Sequence, residues 1–249
     1  LYSPLISRGA KYINTSRRAA ELIKYASNAF LATKITFINE MANLCEKLDV
    51  NIEDISIGMG LDKRIGSRFL RAGPAYGGSC FPKDTRAIVT TGDYFQTNLS
   101  VVKSVIKSND NRSSLLLKRT YDLLNGKVKN KKICFLGVTF KANTDDMRDS
   151  SSLKMIPSLI KKGAIINYYD PSGEKKIFSK LKNISFSKDI KSAIKDADLI
   201  IIHTEWNDFK SINFKKEVIN KRFILFDMRN IYSPDKMKNL KIKYFGVGR

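Results

Sequence analysis

A cysteine that acts as a nucleophile needs a stabilised thiolate and open surroundings. The run Gly73-Pro74-Ala75-Tyr76-Gly77-Gly78-Ser79-Cys80-Phe81-Pro82-Lys83-Asp84 offers both. Glycines at 77 and 78 allow backbone to approach a ligand closely. Pro82 suits the first turn of a helix, so Cys80 falls just before a helix start, where free N–H groups favour a negative sulfur. Asp84 lies one turn further on, within reach as a base or a water-orienting carboxylate. A lone cysteine is commonly an inert core residue; the Gly-Gly context and the helix start argue for chemistry here. Lys24 and Asn28, four apart, share a helix face, although a lysine in Leu22-Ile23-Lys24-Tyr25-Ala26 can also simply snorkel to solvent. Arg64 and Arg71 bracket a segment with enough positive charge to hold phosphate or pyrophosphate.

Further along, Gly137-Val138-Thr139-Phe140-Lys141 ends an apolar run, and Asn143 to Ser150, which includes Arg148, leads into the next helical stretch. Asp227-Met228-Arg229-Asn230 follows a later run in the same way. Cations at the C-terminal ends of strands face the ligand crevice of a doubly wound sheet, so Lys141 and Arg229 suggest an anionic ligand. His203, the one histidine, reads as structural at the end of an apolar strand. With three widely spaced cysteines and that histidine, no zinc pattern can be drawn, and Cys45 and Cys134 read as buried small apolar residues. Neither a Walker loop nor a Gly-x-Gly-x-x-Gly after a strand is present.

Two kinds of element must hold these residues. Ser16 to Asp49 contains no Gly or Pro, and Ile23, Ala26, Phe30, Phe37, Met41, Leu44, Cys45 and Leu48 recur at helical spacing. The spacing predicts one long helix of roughly 30 residues, or two collinear pieces. Asn51 is a candidate N-cap for a short helix, Pro82 begins another, and Val101 to Leu124 forms a further one closed by Asn125-Gly126. Residues 1–126 thus read as an all-helical domain. After a charged, flexible-looking link at Lys127 to Lys132, residues 127–249 alternate short apolar strands with helices. The strands are expected at Lys132–Val138, Ala164–Tyr169, Leu199–His203 and Phe223–Phe226, with weaker ones near Ile184 and Tyr244. That alternation implies a parallel α/β sheet with ligands beyond its strand C-termini.

The chain of 249 residues, 43% hydrophobic, can bury a core, and its longest apolar runs fall far short of the ~20 residues of a membrane helix. The absence of a signal segment and the odd cysteine count favour a reducing, cytoplasmic setting. A net charge of +21 invites a nucleic-acid or membrane-surface reading, but the lysines are scattered among many Asn and Ile residues, as biased composition produces without a polyanion partner.

Taken together, these segments resemble the UDP-glucose/GDP-mannose dehydrogenase family over essentially the whole chain. Gly77 to Asp84 is similar to the family's catalytic-cysteine signature. Glu21 to Ala32, Arg64-Ile65-Gly66, Phe140-Lys141 with Thr144-Asp145-Asp146, and Thr204-Glu205-Trp206 support it in the same order. The resemblance implies a central helical domain with one long dimerisation helix and a Rossmann-like UDP-binding domain, in a homodimer. It implies oxidation of the C6 alcohol of UDP-glucose to a carboxylate with two NAD+, through a thiohemiacetal and thioester on Cys80. Lys24 and Asn28 would stabilise the oxyanion and Asp84 would position or activate water. Arg64 (in the neighbouring subunit's site), Arg71, Tyr76, Gly77, Lys141 and Arg229 would contact substrate, and Arg148 would reach the dinucleotide. The family's N-terminal NAD-binding domain is expected before Leu1, with Leu1-Tyr2-Ser3-Pro4 leaving it, so the chain alone is expected to be inactive. The remaining alternatives are a dehydrogenase of another nucleotide sugar and a non-catalytic module binding nucleotide sugars or nucleic acid.

Overall fold

Ser16 begins the long helix: its hydroxyl accepts from the Ala19 N–H, and the chain then runs without a break as a single helix to Leu48, where Asp49 turns left-handed (φ 55°) and stops it. The computed structural model describes residues 2–249, so the expected departure from a preceding domain starts on a residue, Leu1, outside the described ones. A short helix, α1 (Ser3–Ser7), with no buried side chain, comes first. The long helix is α2 (Arg17–Leu48). Its buried face carries Ala29, Ala32, Thr36, Ile38, Asn39, Ala42 and Cys45, mostly small or polar. Ile23, Phe30, Phe37 and Leu44, which recur at helical spacing, are exposed. Small side chains let neighbouring helices lie close, and those neighbours are α4 and α5.

Asn51 caps α3 (Ile52–Leu61) by accepting from the Glu53 N–H. Then come α4 (Phe81–Tyr94) and α5 (Ser100–Leu123), the latter closed by left-handed Asn125 and Gly126. The link that follows is anchored: Val128 is buried and the Asn130 N–H donates to Gly163 O.

The remainder runs β1 (Lys132–Leu136), α6 (Ser152–Lys161), β2 (Ile165–Tyr169), β3 (Ile184–Phe186), α7 (Ile190–Ile194), β4 (Leu199–Ile202), α8 (Phe214–Glu217), β5 (Ile224–Asp227), α9 (Pro234–Asn239) and β6 (Lys243–Gly246). All six strands are parallel, in the order β3-β2-β1-β4-β5-β6. The four residues of β4 and the four of β5 are all buried, which is why both strands read as continuous apolar runs. Leu136 pairs with Tyr169 on one side and Ile202 on the other, so β1, β2 and β4 end level at one edge. Strand order reverses between β1 and β4, the switch point beyond which a doubly wound sheet holds its ligands.

One face of the sheet packs on α7, α8 and α9 through residues such as Ile194, Phe214 and Met237. The other packs on α6 and continues into the helical half, where Ile38, Ala42, Ile52 and Leu116 join Phe135, Phe226, Met228 and Val247 in one cluster. The two halves therefore share a core. No helix among the described residues is long and apolar enough to cross a membrane.

Candidate active site around Cys80

Cys80 occupies the N-cap of α4, as the position of Pro82 suggests, and is exposed. Its sulfur makes no capping hydrogen bond and instead lies 3.7 Å from Ser79 Oγ. One turn on, Asp84 is 1% exposed, and its carboxylate faces α2. Asn28 Nδ2 donates to Asp84 Oδ2 at 2.5 Å, and Lys24 Nζ does so at 3.2 Å. Lys83 Nζ lies 2.9 Å from the other oxygen. Burial alone would push the carboxyl up, but the hydrogen bonds from Lys83, Asn28 and Lys24 outweigh it and hold Asp84 below the ordinary carboxylate range. An ionised carboxylate with three donors is a weak base, so Asp84 fits orientation better than proton abstraction. Lys24 is thus not merely snorkelling, and the helix spacing that pairs it with Asn28 brings both to Asp84. Asp84 and Asp146 respectively raise the pKa of the neighbouring Lys83 and Arg148.

Gly77 and Gly78 lie against the loop after β1. A Cβ on Gly77 would lie 2.7 Å from Asp149 O, and one on Gly78 would lie 2.6 Å from Phe140 Cζ. The Gly78 N–H donates to Arg148 O at 2.7 Å. The glycines therefore admit the loop after β1, with the Phe140 ring against Gly78. The Tyr76 ring is buried against Ala32 and Val105 and edge-on to Phe81, leaving 5% exposed.

At the sheet edge, Lys141 is exposed with its ammonium 5.4 Å from the Phe140 ring centroid. Arg229 is not a free cation facing the crevice. Nε donates to His203 O and lies 2.8 Å from Glu205 Oε2, while Nη2 donates to Phe140 O. The Arg148 side chain forks onto Asp146, and its guanidinium is raised in pKa chiefly by that contact. Arg64 forks onto Asp62, with its side chain 89% exposed, and Lys34 donates to Ile65 O and Gly66 O beneath it. Neither Arg64 nor the exposed Arg71 bonds to Lys24, Asn28, Cys80 or Asp84 within the chain. Sequence spacing gave no sign of Asn39, Asn109 and Arg112, whose side chains bond the backbone of the loop leading to Cys80.

A dinucleotide does not fit the sheet edge. The fold would place its pyrophosphate on the turn after β1 and its ribose on an acid after β2. Here Asp170 Oδ2 accepts from the Val138 N–H at 2.8 Å and lies 3.4 Å from the Thr139 nitrogen, so acid and turn satisfy one another. The space beside Gly137 is filled by Thr204, 2.4 Å from where a Cβ would stand.

The family model of the UDP-glucose/GDP-mannose dehydrogenase central domain matches residues 18–111, and that of the family's UDP-binding domain matches 134–234. The chain belongs to the UDP-glucose/GDP-mannose dehydrogenase family. It is 43% identical over 250 residues to a UDP-glucose 6-dehydrogenase of Rhizobium meliloti, covering 100% of this chain and 57% of that one. A UDP-glucose 6-dehydrogenase of Rickettsia felis is 45% identical over 251 residues, again with 100% of this chain and 56% of the relative covered. The chain thus spans a little over half the length of these curated family members. Among solved structures, a UDP-glucose dehydrogenase from Pyrobaculum islandicum superposes with a TM-score of 0.82 at 31% identity, covering 94% of this chain and 52% of that one. An NDP-N-acetyl-D-galactosaminuronic acid dehydrogenase from Methanosarcina mazei gives 0.81 at 25%, covering 94% and 51%. Helices followed by a parallel Rossmann-like sheet, as expected from the sequence, are therefore the family's architecture.

Proposed function

We propose that the chain is the central and UDP-binding part of a UDP-glucose 6-dehydrogenase, with a helical unit over residues 1–126 and a UDP-binding unit over 127–249. The whole enzyme would convert UDP-glucose to UDP-glucuronate with NAD as oxidant, met from this chain by Arg148. The observation that carries this reading is the gathering of Lys24 and Asn28 on Asp84, one helical turn from an exposed cysteine.

Cys80 would bond covalently to the C6 carbonyl carbon, and water would finally cleave the acyl–sulfur bond. Lys24 and Asn28 each retain N–H groups beyond those given to Asp84 and would stabilise negative charge on the C6 oxygen. Asp84 would hold both donors and orient the water. Lys141, the open cation of the crevice, would meet the diphosphate, with Arg71 and the Tyr76-Gly77 backbone alongside. Arg229 would join them only on releasing Glu205, and Arg148 would face the dinucleotide. A second copy of the chain would cover the exposed stripe of α2 and contribute its Arg64 to the site.

In the complete enzyme, Cys80→Ser should cut turnover about a thousandfold while changing the UDP-glucose Kd by less than about threefold, because serine keeps the shape but not the nucleophile. Turnover within about tenfold of wild type would rule out the covalent role. The likeness to the Methanosarcina mazei enzyme favours one second reading, a different nucleotide sugar as substrate, which a substrate panel on the complete enzyme decides.

A further inference from the structure

We infer that Asn109 and Arg112, on one face of α5, are positioning residues that set the placement of Cys80 by anchoring the loop from Gly73 to Gly78. This rests on the proposed role of Cys80 as nucleophile.

The loop has no helical or strand ladder of its own, so its buried peptide groups need partners from elsewhere. Asn109 supplies both for one residue: Oδ1 accepts from the Tyr76 N–H at 2.9 Å and Nδ2 donates to Tyr76 O at 3.2 Å. Arg112 Nε donates to Gly73 O at 3.1 Å, while the Gly73 N–H donates to Asn39 Oδ1 at 2.8 Å. Two residues of the loop, Gly73 and Tyr76, are thereby held through both their N–H and their C=O. Arg112 Nη1 continues to Asn39 O and Asn43 Oδ1 on α2, the helix that carries Lys24 and Asn28. A single guanidinium thus ties the cysteine's loop to the helix bearing the expected oxyanion donors.

Packing alone does not account for Arg112. It is 3% exposed and takes part in none of the ion pairs among the described residues. Burial lowers its pKa to about 10, which still leaves it charged at neutral pH. Burying such a charge without a carboxylate is costly, and Leu or Met would fill the volume without that cost. What the apolar residue could not do is donate in a fixed fork to two backbone segments at once. The far end of the loop is gripped from the sheet side, where Gly78 meets Phe140 and Arg148 O. Cys80 follows two residues later, and reacting groups need placement to within about 0.5 Å.

The test compares Asn109→Ala and Arg112→Gln with Leu116→Ala, a buried residue one turn further along α5 that serves as a general destabilisation control. Amide exchange is followed residue by residue, and alkylation of Cys80 by iodoacetamide is read by mass spectrometry, Cys45 and Cys134 being buried. Both loop variants should speed exchange at Gly73 and Tyr76 about tenfold. They should also change the Cys80 alkylation rate by about threefold or more, beyond what Leu116→Ala shows at equal Tm. If exchange and alkylation in the loop variants match the control at equal Tm, the inference is overturned. Should Arg112→Gln fail to fold, Asn109→Ala, at a part-exposed position, decides alone. None of these readouts uses turnover, so the Cys80→Ser measurement judges the nucleophile reading separately.

Discussion

His203 closes β4 with its imidazole 1% exposed, Nε2 within 2.8 Å of Ser151 Oγ and Nδ1 within 3.1 Å of Thr204 Oγ1. Burial first, and the nearby Arg229 charge second, lower its pKa from 6.5 to about 3. Between those values the unfolded chain binds a proton that the folded chain refuses. The stabilisation is therefore complete above 6.5 and drains away as pH falls toward about 3. The slope is ~1.4 kcal/mol per pH unit, or roughly 2 kcal/mol between pH 6.5 and about 5. Because this is the only histidine, urea denaturation of wild type and His203→Gln across that window should show the loss in the first and not in the second. Parallel curves would mean that the imidazole does not titrate as its burial requires. The sequence places this histidine at the end of an apolar strand, and that strand end lies in the interior.

Between elements, the decisive contact is the loop before α4 against the loop after β1. Gly78 adopts φ +80° and lies flat against the Phe140 ring, so Gly78→Ala meets both backbone strain and a clash. It should cost about 2–3 kcal/mol. Phe140→Ala relieves the clash and not the strain, so the double variant should be less destabilised than the sum of the singles by about 1 kcal/mol. Strict additivity in a thermal-unfolding cycle would contradict the contact. A pair of glycines announces close approach by something, and the fold brings the Phe140 ring to that place.

For the whole molecule, the exposed stripe Ile23, Phe30, Phe37 and Leu44 recurs every seven residues along α2, the repeat that lines one helix face against a partner. A two-fold dimer would bury it. Phe37→Glu should therefore convert a dimer to a monomer in sedimentation equilibrium, and an unchanged mass would exclude this face. In the complete enzyme, Arg64→Ala and Cys80→Ser proteins unfolded together and reassembled at random should regain about a quarter of wild-type activity. Half the dimers are mixed, and each mixed dimer holds one intact site if Arg64 serves its neighbour. Recovery near zero with exchange confirmed would confine Arg64 to its own chain. The net charge of +21 has its own discriminator: polyanion binding that weakens steeply with salt and ignores UDP would favour the nucleic-acid module.

Local rules sufficed for the helices and strands, since Ser16, Asn51, Asn125 and Gly126 act within a few residues of themselves and the apolar runs of β4 and β5 need only be buried. They sufficed too for pairing Lys24 with Asn28 and Cys80 with Asp84, because a helix fixes neighbours four apart. That the two pairs meet at one carboxylate is decided by the packing of α2 on α4 across 56 residues of sequence. Packing likewise turned the bulky face of α2 outward, since the close helix contacts admit only small side chains. It also committed Arg229 to Glu205 and buried Tyr76. Spacing reports which side chains share a surface, but a charge is free or spent only according to what the rest of the chain brings against it.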